Sequence, residues 1–272
     1  MARSRKKITI SNSIVNQYTF SCTKTVGGDL PMELLQKVFA KDSTLSNTVI
    51  GDSSFSETNY GLLEGDNLEA EISNSFSYLR NRYVDVQKKI AAGVSIARAV
   101  WFNPFFGHLG FSEISRFLLN TSKPEPVASN LTSNVCDVAL HVVTFETDLD
   151  KRTAGQKGAG KASPHSALQE FLNASSSTKW GIVTNGITLR VLRQSNALTR
   201  SSYLEFNLEQ IFSNSNFNDF RLLYLLIHET RFDTKGNSRE SYIEQYRQKS
   251  LELGTRALDA LRNAVEESIR IL

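Results

Sequence analysis

The sequence predicts an α/β protein built around a mixed β-sheet flanked by helices, and three neighbouring stretches carry that prediction. Residues 180–193, WGIVTNGITLRVLR, are two short apolar, β-branched runs on either side of Asn185-Gly186. An Asn-Gly link permits positive φ at both turn positions, which matches the twist of paired strands, so the spacing predicts a β-hairpin. Residues 165–174, HSALQEFLNA, place Ala167, Leu168, Phe171 and Leu172 on one helical stripe. Residues 135–145, VCDVALHVVTF, form an apolar run between polar loops, the pattern of a buried strand. Strand, helix, strand, tight turn and strand, in that order, make the core of a mixed sheet.

At 272 residues the chain is long enough for one or two domains with a real core. Its 40% apolar and 22% charged residues are ordinary for a globular protein and exclude a disordered one. The net charge of +3 permits a polyanionic partner without demanding one. Cys22 and Cys136 lie far apart, with no CxxC or Cys/His cluster, which predicts reduced thiols, a cytoplasmic location and no zinc site. Residues 1–7 are basic but no apolar stretch follows, and no run is long enough to cross a bilayer, so no membrane association is expected.

Taken in order, residues 1–77 read as a lead-in. A short strand is possible within residues 8–20, Gly27-Gly28 would break it, and PMELLQKVFA (residues 31–40) predicts a short helix with Pro in its first turn. Residues 43–59 are rich in Ser, Thr and Asn and read as a surface loop. From Asn67 onward Leu68, Ile72, Phe76, Leu79, Tyr83 and Val86 recur three or four apart and define one buried helix face. A second helix is expected over VSIARAVWFNPFFGHLGF, with Ser95 as cap, Trp101 and Phe105 in the core and Gly110 at the end. Residues 147–163 carry four Lys/Arg and three Gly and predict a mobile, solvated loop. Residues 203–211 predict a strand turning into a helix, residues 219–228 a buried helix, and residues 240–272 one long helix. The stripe Leu251, Leu258, Leu261, Val265, Ile269 and Leu272 runs to the last residue without a Gly or Asn cap, so the chain is expected to continue. The organisation expected is a lead-in at 1–77, an α/β core at 78–212 and a helical segment at 213–272.

Candidate chemistry is sparse. GQKGAGK (residues 155–161) has the glycine spacing of a phosphate loop, but Ala162 stands where the metal-binding hydroxyl belongs. His108, His141, His165 and His228 have no partners at metal spacing; the first, second and fourth read as satisfied core residues. His165 follows Pro164 at a helix start whose N–H groups suit an anion, although capping by Ser163 explains the pattern more simply. No G-x-S-x-G or H-E-x-x-H occurs. Metal-dependent nucleases set carboxylates and a lysine at the end of a strand like 135–145. Asp137 opens that strand, Glu146, Asp148, Asp150 and Lys151 follow it, and Gln169 and Glu170 lie on the next helix. No (D/E)-x-K triplet falls there: Asp150-Lys151-Arg152 imitates one loosely, and Asp233-Thr234-Lys235 sits in a loop after a helix. Solvated charge is the plainer account of these acids.

Several features in order carry a family resemblance. These are Trp101-Phe102-Asn103-Pro104 and Leu109-Gly110-Phe111, the strand from Val138, the helix with Gln169 and Phe171, and Trp180-Gly181-Ile182-Val183-Thr184-Asn185-Gly186 followed by Leu189-Arg190-Val191-Leu192-Arg193. Together they resemble the N-terminal region of large type IIG-like restriction–modification DNA methylases. In these proteins, some found in phage-defence clusters such as DISARM, an endonuclease-like domain of the PD-(D/E)XK fold precedes an adenine-specific methyltransferase. The resemblance implies a restriction-endonuclease-like core and a 213–272 segment leading towards a methyltransferase domain of the same or a partner chain. The methyltransferase signatures are absent, and Asn103-Pro104-Phe105-Phe106 is a false echo of N-P-P-[YF].

The function this implies is a degenerate, endonuclease-like module that contacts double-stranded DNA through Arg152, Lys157, Lys161, Arg190 and Arg193. Alternation puts Arg190 and Leu192 on the strand face opposite Leu189 and Val191, so an arginine there needs a partner or solvent. A remnant catalytic site would use Asp137, Glu146 and Asp148, faced by Gln169, with Asp137 and Glu146 as ligands of Mg2+. Two alternatives stand beside it: an active Mg-dependent endonuclease, and a non-catalytic interaction scaffold that docks through its last helix.

Overall fold

The computed structural model describes residues 18–45, 54–91, 100–111, 129–130, 138–156, 158–176, 178–195, 201–233 and 240–271. Six strands form one sheet: β1 (Thr23–Val26), β2 (Ser129–Asn130), β3 (Val138–Val142), β4 (Trp180–Thr184), β5 (Thr188–Arg193) and β6 (Tyr203–Asn207). Their spatial order is β1-β6-β5-β4-β3-β2, and only β3 and β4 run parallel. The helices are α1 (Met32–Phe39), α2 (Leu68–Ala91), α3 (Phe102–Gly107), α4 (Pro164–Ala174), α5 (Leu208–Ser213), α6 (Phe217–Ile227) and α7 (Tyr242–Ile271).

The parallel pair needs a crossover, and α4 supplies it. Its stripe sets Leu168 and Leu172 on Ala139, Val183 and Leu192, making a small apolar cluster on one face of the sheet. Gly181 of β4 makes the close approach possible, because a Cβ there would lie 3.0 Å from Leu168 Cδ1 and 3.1 Å from Leu172 Cδ1. Ser163 caps α4 by accepting from the N–H of Ser166 at 3.2 Å, as its place before Pro164 predicts.

The other face carries the main core. Val138, Leu140, Ile182, Leu189, Val191, Leu204 and Phe206 point into it and meet residues of α1, α2, α3, α5 and α6. All six apolar residues expected on the α2 face are buried. Asn67 Oδ1 accepts from the N–H of Ala70, while Glu69 and Glu71 open α2 and Lys88 and Lys89 close it, in the sense the helix dipole favours. Trp101 and Phe105 are buried as expected; the predicted cap Ser95 lies outside the described residues.

Two features differ from expectation in ways that matter. The hairpin turn is displaced by one residue: Asn185 N donates to Thr188 O, so the central pair is Gly186-Ile187. Gly186 has φ +87° while Asn185 is not in the positive region, which suits a glycine-first turn instead of an Asn-Gly turn. Asn185 contributes through its side chain, whose Oδ1 accepts from Ile187 N and Thr188 N and whose amide donates to Thr147 O. The lead-in is also part of the sheet, since β1 pairs with β6 from Thr23↔Phe206 to Val26↔Tyr203. Residue 78, the expected boundary, falls inside α2.

Among the described residues, no helix is long and apolar enough to cross a membrane.

Candidate functional site

The loop that follows β3 packs on the α4 face of the sheet and gathers most of the predicted site residues. Its glycines and cations predict a mobile, solvated segment, yet it is folded back on the sheet. Thr153 N donates to Ala159 O at 2.8 Å, and Arg152 Nε donates to Gly160 O at 2.9 Å. Gln156 Nε2 reaches Thr144 Oγ1 at 2.8 Å and Thr147 Oγ1 at 3.1 Å. Leu149 and Ala159 are buried. The imidazole of His141, on β3, is bonded to Gly158 O at 2.9 Å; the ring must donate here, since a carbonyl only accepts.

Asp137 lies outside the described residues. Glu146 is exposed. Asp148 pairs with Lys151 at 2.8 Å and its Oδ1 accepts from Asp150 N, and Lys151 holds its carboxyl below the usual aspartate range. Gln169 spends its amide on Asn173 Oδ1 and on the carbonyl of Arg193, each at 3.0 Å. Among the described residues, no group of three or more His, Cys, Asp or Glu is placed to hold a metal ion.

The two predicted strand arginines separate to opposite faces of the sheet, as their odd and even positions on β5 dictate. Arg190 emerges on the α4 face, buried, with its side chain 8% exposed. Its Nη1 and Nη2 donate to Asp150 at 2.6 and 2.8 Å, and its Nε donates to Glu205, its cross-strand partner on β6, at 2.6 Å. The guanidinium also stands 4.7 Å from the Tyr203 ring centroid and 3.4 Å from His165 Nδ1. Burial and the neighbouring Arg190 charge together hold the His165 pKa below its ordinary value.

Arg193 emerges on the other face, beneath α7. Its Nε and Nη2 form a fork on Glu244 at 2.9 and 2.7 Å, and Trp180 Nε1 donates to the same carboxylate at 3.1 Å. Arg247 of α7 pairs with Asp29 at 2.6 Å. These contacts fasten the start of α7 to the sheet. The cations of the predicted set that stay exposed are Arg152 and Lys161; Lys157 lies outside the described residues.

Nothing in the sequence groups Asp150, His165 and Tyr203 around Arg190 or pairs Glu244 with Arg193. The Arg190↔Glu205 pair had a signal, because two antiparallel strands in register place opposite charges side by side. The Arg193–Glu244 pair spans 51 positions and had none.

Comparison with protein-family models, with curated proteins and with solved structures returns no match to this chain.

Proposed function

We propose that this chain is a DNA-associated, endonuclease-like module that does not cleave, working within a restriction–modification or phage-defence DNA methylase. The PD-(D/E)XK assignment belongs to the same proposal. It is supported by a mixed sheet whose parallel pair is bridged by a helix, followed by the Trp180–Thr184 strand and its hairpin partner.

The observation that carries the non-cleaving form is the state of the acids after β3. Asp148 pairs with Lys151 and Asp150 with Arg190, and among the described residues neither belongs to a group of acids placed to hold a divalent ion. Arg152 and Lys161 remain at the surface of the same loop, where they suit contacts to phosphate backbone. The test is binding of the purified chain to a labelled duplex at low and high salt, with and without magnesium. Binding that weakens steeply with salt and leaves the duplex intact is expected. Magnesium-dependent cleavage would replace this reading with the active endonuclease. Absence of binding under every condition would remove the DNA contact.

A second reading, docking, is favoured by α7. Leu251, Leu258, Leu261, Val265 and Ile269 lie at three-, four- and seven-residue spacing and are 46–68% exposed. A stripe of this kind is a seam for another helix. In this reading the seam receives the methyltransferase domain of the same or a partner chain. Replacing Leu258 and Leu261 with Asp is expected to abolish capture of that domain without unfolding the sheet.

A further inference from the structure

The Arg190 cluster holds one anion more than its charge requires. Glu205, on the Nε edge, already neutralises the guanidinium. Asp150 is the second carboxylate, and it occupies the opposite edge with a two-oxygen fork. The two acids differ in setting: the Glu205 side chain is 22% exposed, whereas that of Asp150 is 62% exposed, although the arginine it grips is buried. Asp150 therefore stands between Arg190 and solvent. Take it away, and the Nη edge of Arg190 opens outward.

The vacated position has the chemistry of an oxyanion subsite. Two parallel N–H donors of one guanidinium match two oxygens of a phosphate as well as those of a carboxylate. The cation is prevented from turning away, because Nε is fixed by Glu205 and the guanidinium lies against the Tyr203 ring. His165 borders the same edge of Arg190. The end of α4 contributes nothing further, since His165 N is taken by Leu149 O and Ser166 N by Ser163 Oγ. The site rests on the arginine.

We infer that Asp150 is a built-in plug in a latent oxyanion subsite formed by Arg190, Tyr203 and His165, and that its ligand is a phosphate-class anion. A phosphodiester carries one negative charge, as Asp150 does, so the exchange leaves the local charge unchanged. Glu205 sets the preference for such a singly charged group, because it repels a second negative charge. The anion is supplied either by a nucleic-acid backbone or by free phosphate. The subsite does not depend on the DNA reading above: it is defined by the fork on Arg190, whatever presents the phosphate.

The test compares the full chain with Asp150→Ala and with Asp150→Asn, which keeps the side-chain volume and removes the charge. Each protein is titrated with inorganic phosphate at a mildly acidic pH that keeps it singly charged and, separately, with a short DNA duplex, while the His165 ring signals are followed by NMR. Both variants are expected to bind phosphate at least about tenfold more tightly than the unmodified chain. Adding Arg190→Met to either variant is expected to erase the gain. Bound phosphate should also raise the His165 pKa, because an anion beside an imidazole favours its protonated form. A parallel gain on the duplex identifies the backbone as the source. A gain on phosphate alone leaves the subsite standing and counts against the DNA reading. If either variant is folded by circular dichroism and binds phosphate no more tightly than the unmodified chain, Asp150 is an ordinary ion-pair partner and the inference fails.

Discussion

The guanidinium of Arg231 lies 4.0 Å from the ring centroid of Tyr60. Tyr242 covers its second face at 4.5 Å, so the cation is held between two rings with no accessible surface. Its N–H groups go to backbone carbonyls and hydroxyls: Nη1 to Ser54 O at 2.6 Å and Tyr246 Oη at 3.2 Å, Nη2 to Asn59 O. One side chain thereby ties together the 54–60 segment, the turn after α6 and the start of α7.

Removing that side chain strands those carbonyls in the core. Arg231→Met is expected to lower unfolding stability by about 3 kcal/mol, because buried acceptors lose their donors. Arg231→Lys keeps the charge but loses the planar fork and the stacking, at a cost of about 2 kcal/mol. Urea unfolding at constant slope measures both. A lysine variant as stable as the parent would show that only the charge matters there.

Glu244 is the anchor of α7. It is buried and accepts from Arg193 and Trp180 together. Glu244→Ala leaves a partly buried arginine without its carboxylate and should cost about 3 kcal/mol. Trp180 fluorescence should report the loss in the folded state. An unchanged emission spectrum would mean the indole N–H has found another acceptor.

Acid should weaken the fold through two histidines. Burial pushes the His141 pKa down from 6.5 to about 4, and burial with the Arg231 charge pushes that of His228 down to about 3. With folded values below the unfolded one, the unfolded chain takes up protons first as pH falls. Stability is therefore full above about pH 6.5 and declines towards pH 4 and below, by about 3 kcal/mol for His141 and more for His228. His141→Gln is expected to flatten the curve between pH 6.5 and 4. A wild-type curve already flat across that window would contradict both shifts.

Gly186 is required twice over. Its φ of +87° disfavours any side chain, and a Cβ would fall 2.5 Å from Cζ of Phe145, which is itself buried. Gly186→Ala should cost about 2 kcal/mol or more, above the ordinary Gly-to-Ala difference at such positions. Gly61 has φ +73° with nothing within 4 Å of its Cβ position, so Gly61→Ala carries the backbone strain alone. Equal losses in thermal unfolding for the two variants would show that contact with Phe145 adds nothing.

The sequence by itself determined the elements whose faces are periodic. The stripes of α2 and α4, the strands around the hairpin and the separation of Arg190 from Leu189 and Val191 follow from 3.6- and two-residue repeats, which depend only on local geometry. It also determined the Ser163 cap, a contact three residues long. The place of β1 against β6 was not legible, because a four-residue strand has too little pattern to name its partner. Nor was the one-residue displacement of the turn, which the Asn185 side chain fixes by reaching Thr147 on another segment. The site depended most on tertiary structure. Sequence marked Arg190 and Arg193 as chemically notable, but only folding decided that Asp150 and Glu205 grip one and Glu244 the other. Those partners lie 15 to 51 positions away, and an ion pair forms wherever packing brings opposite charges together, with no repeat in the chain to announce it.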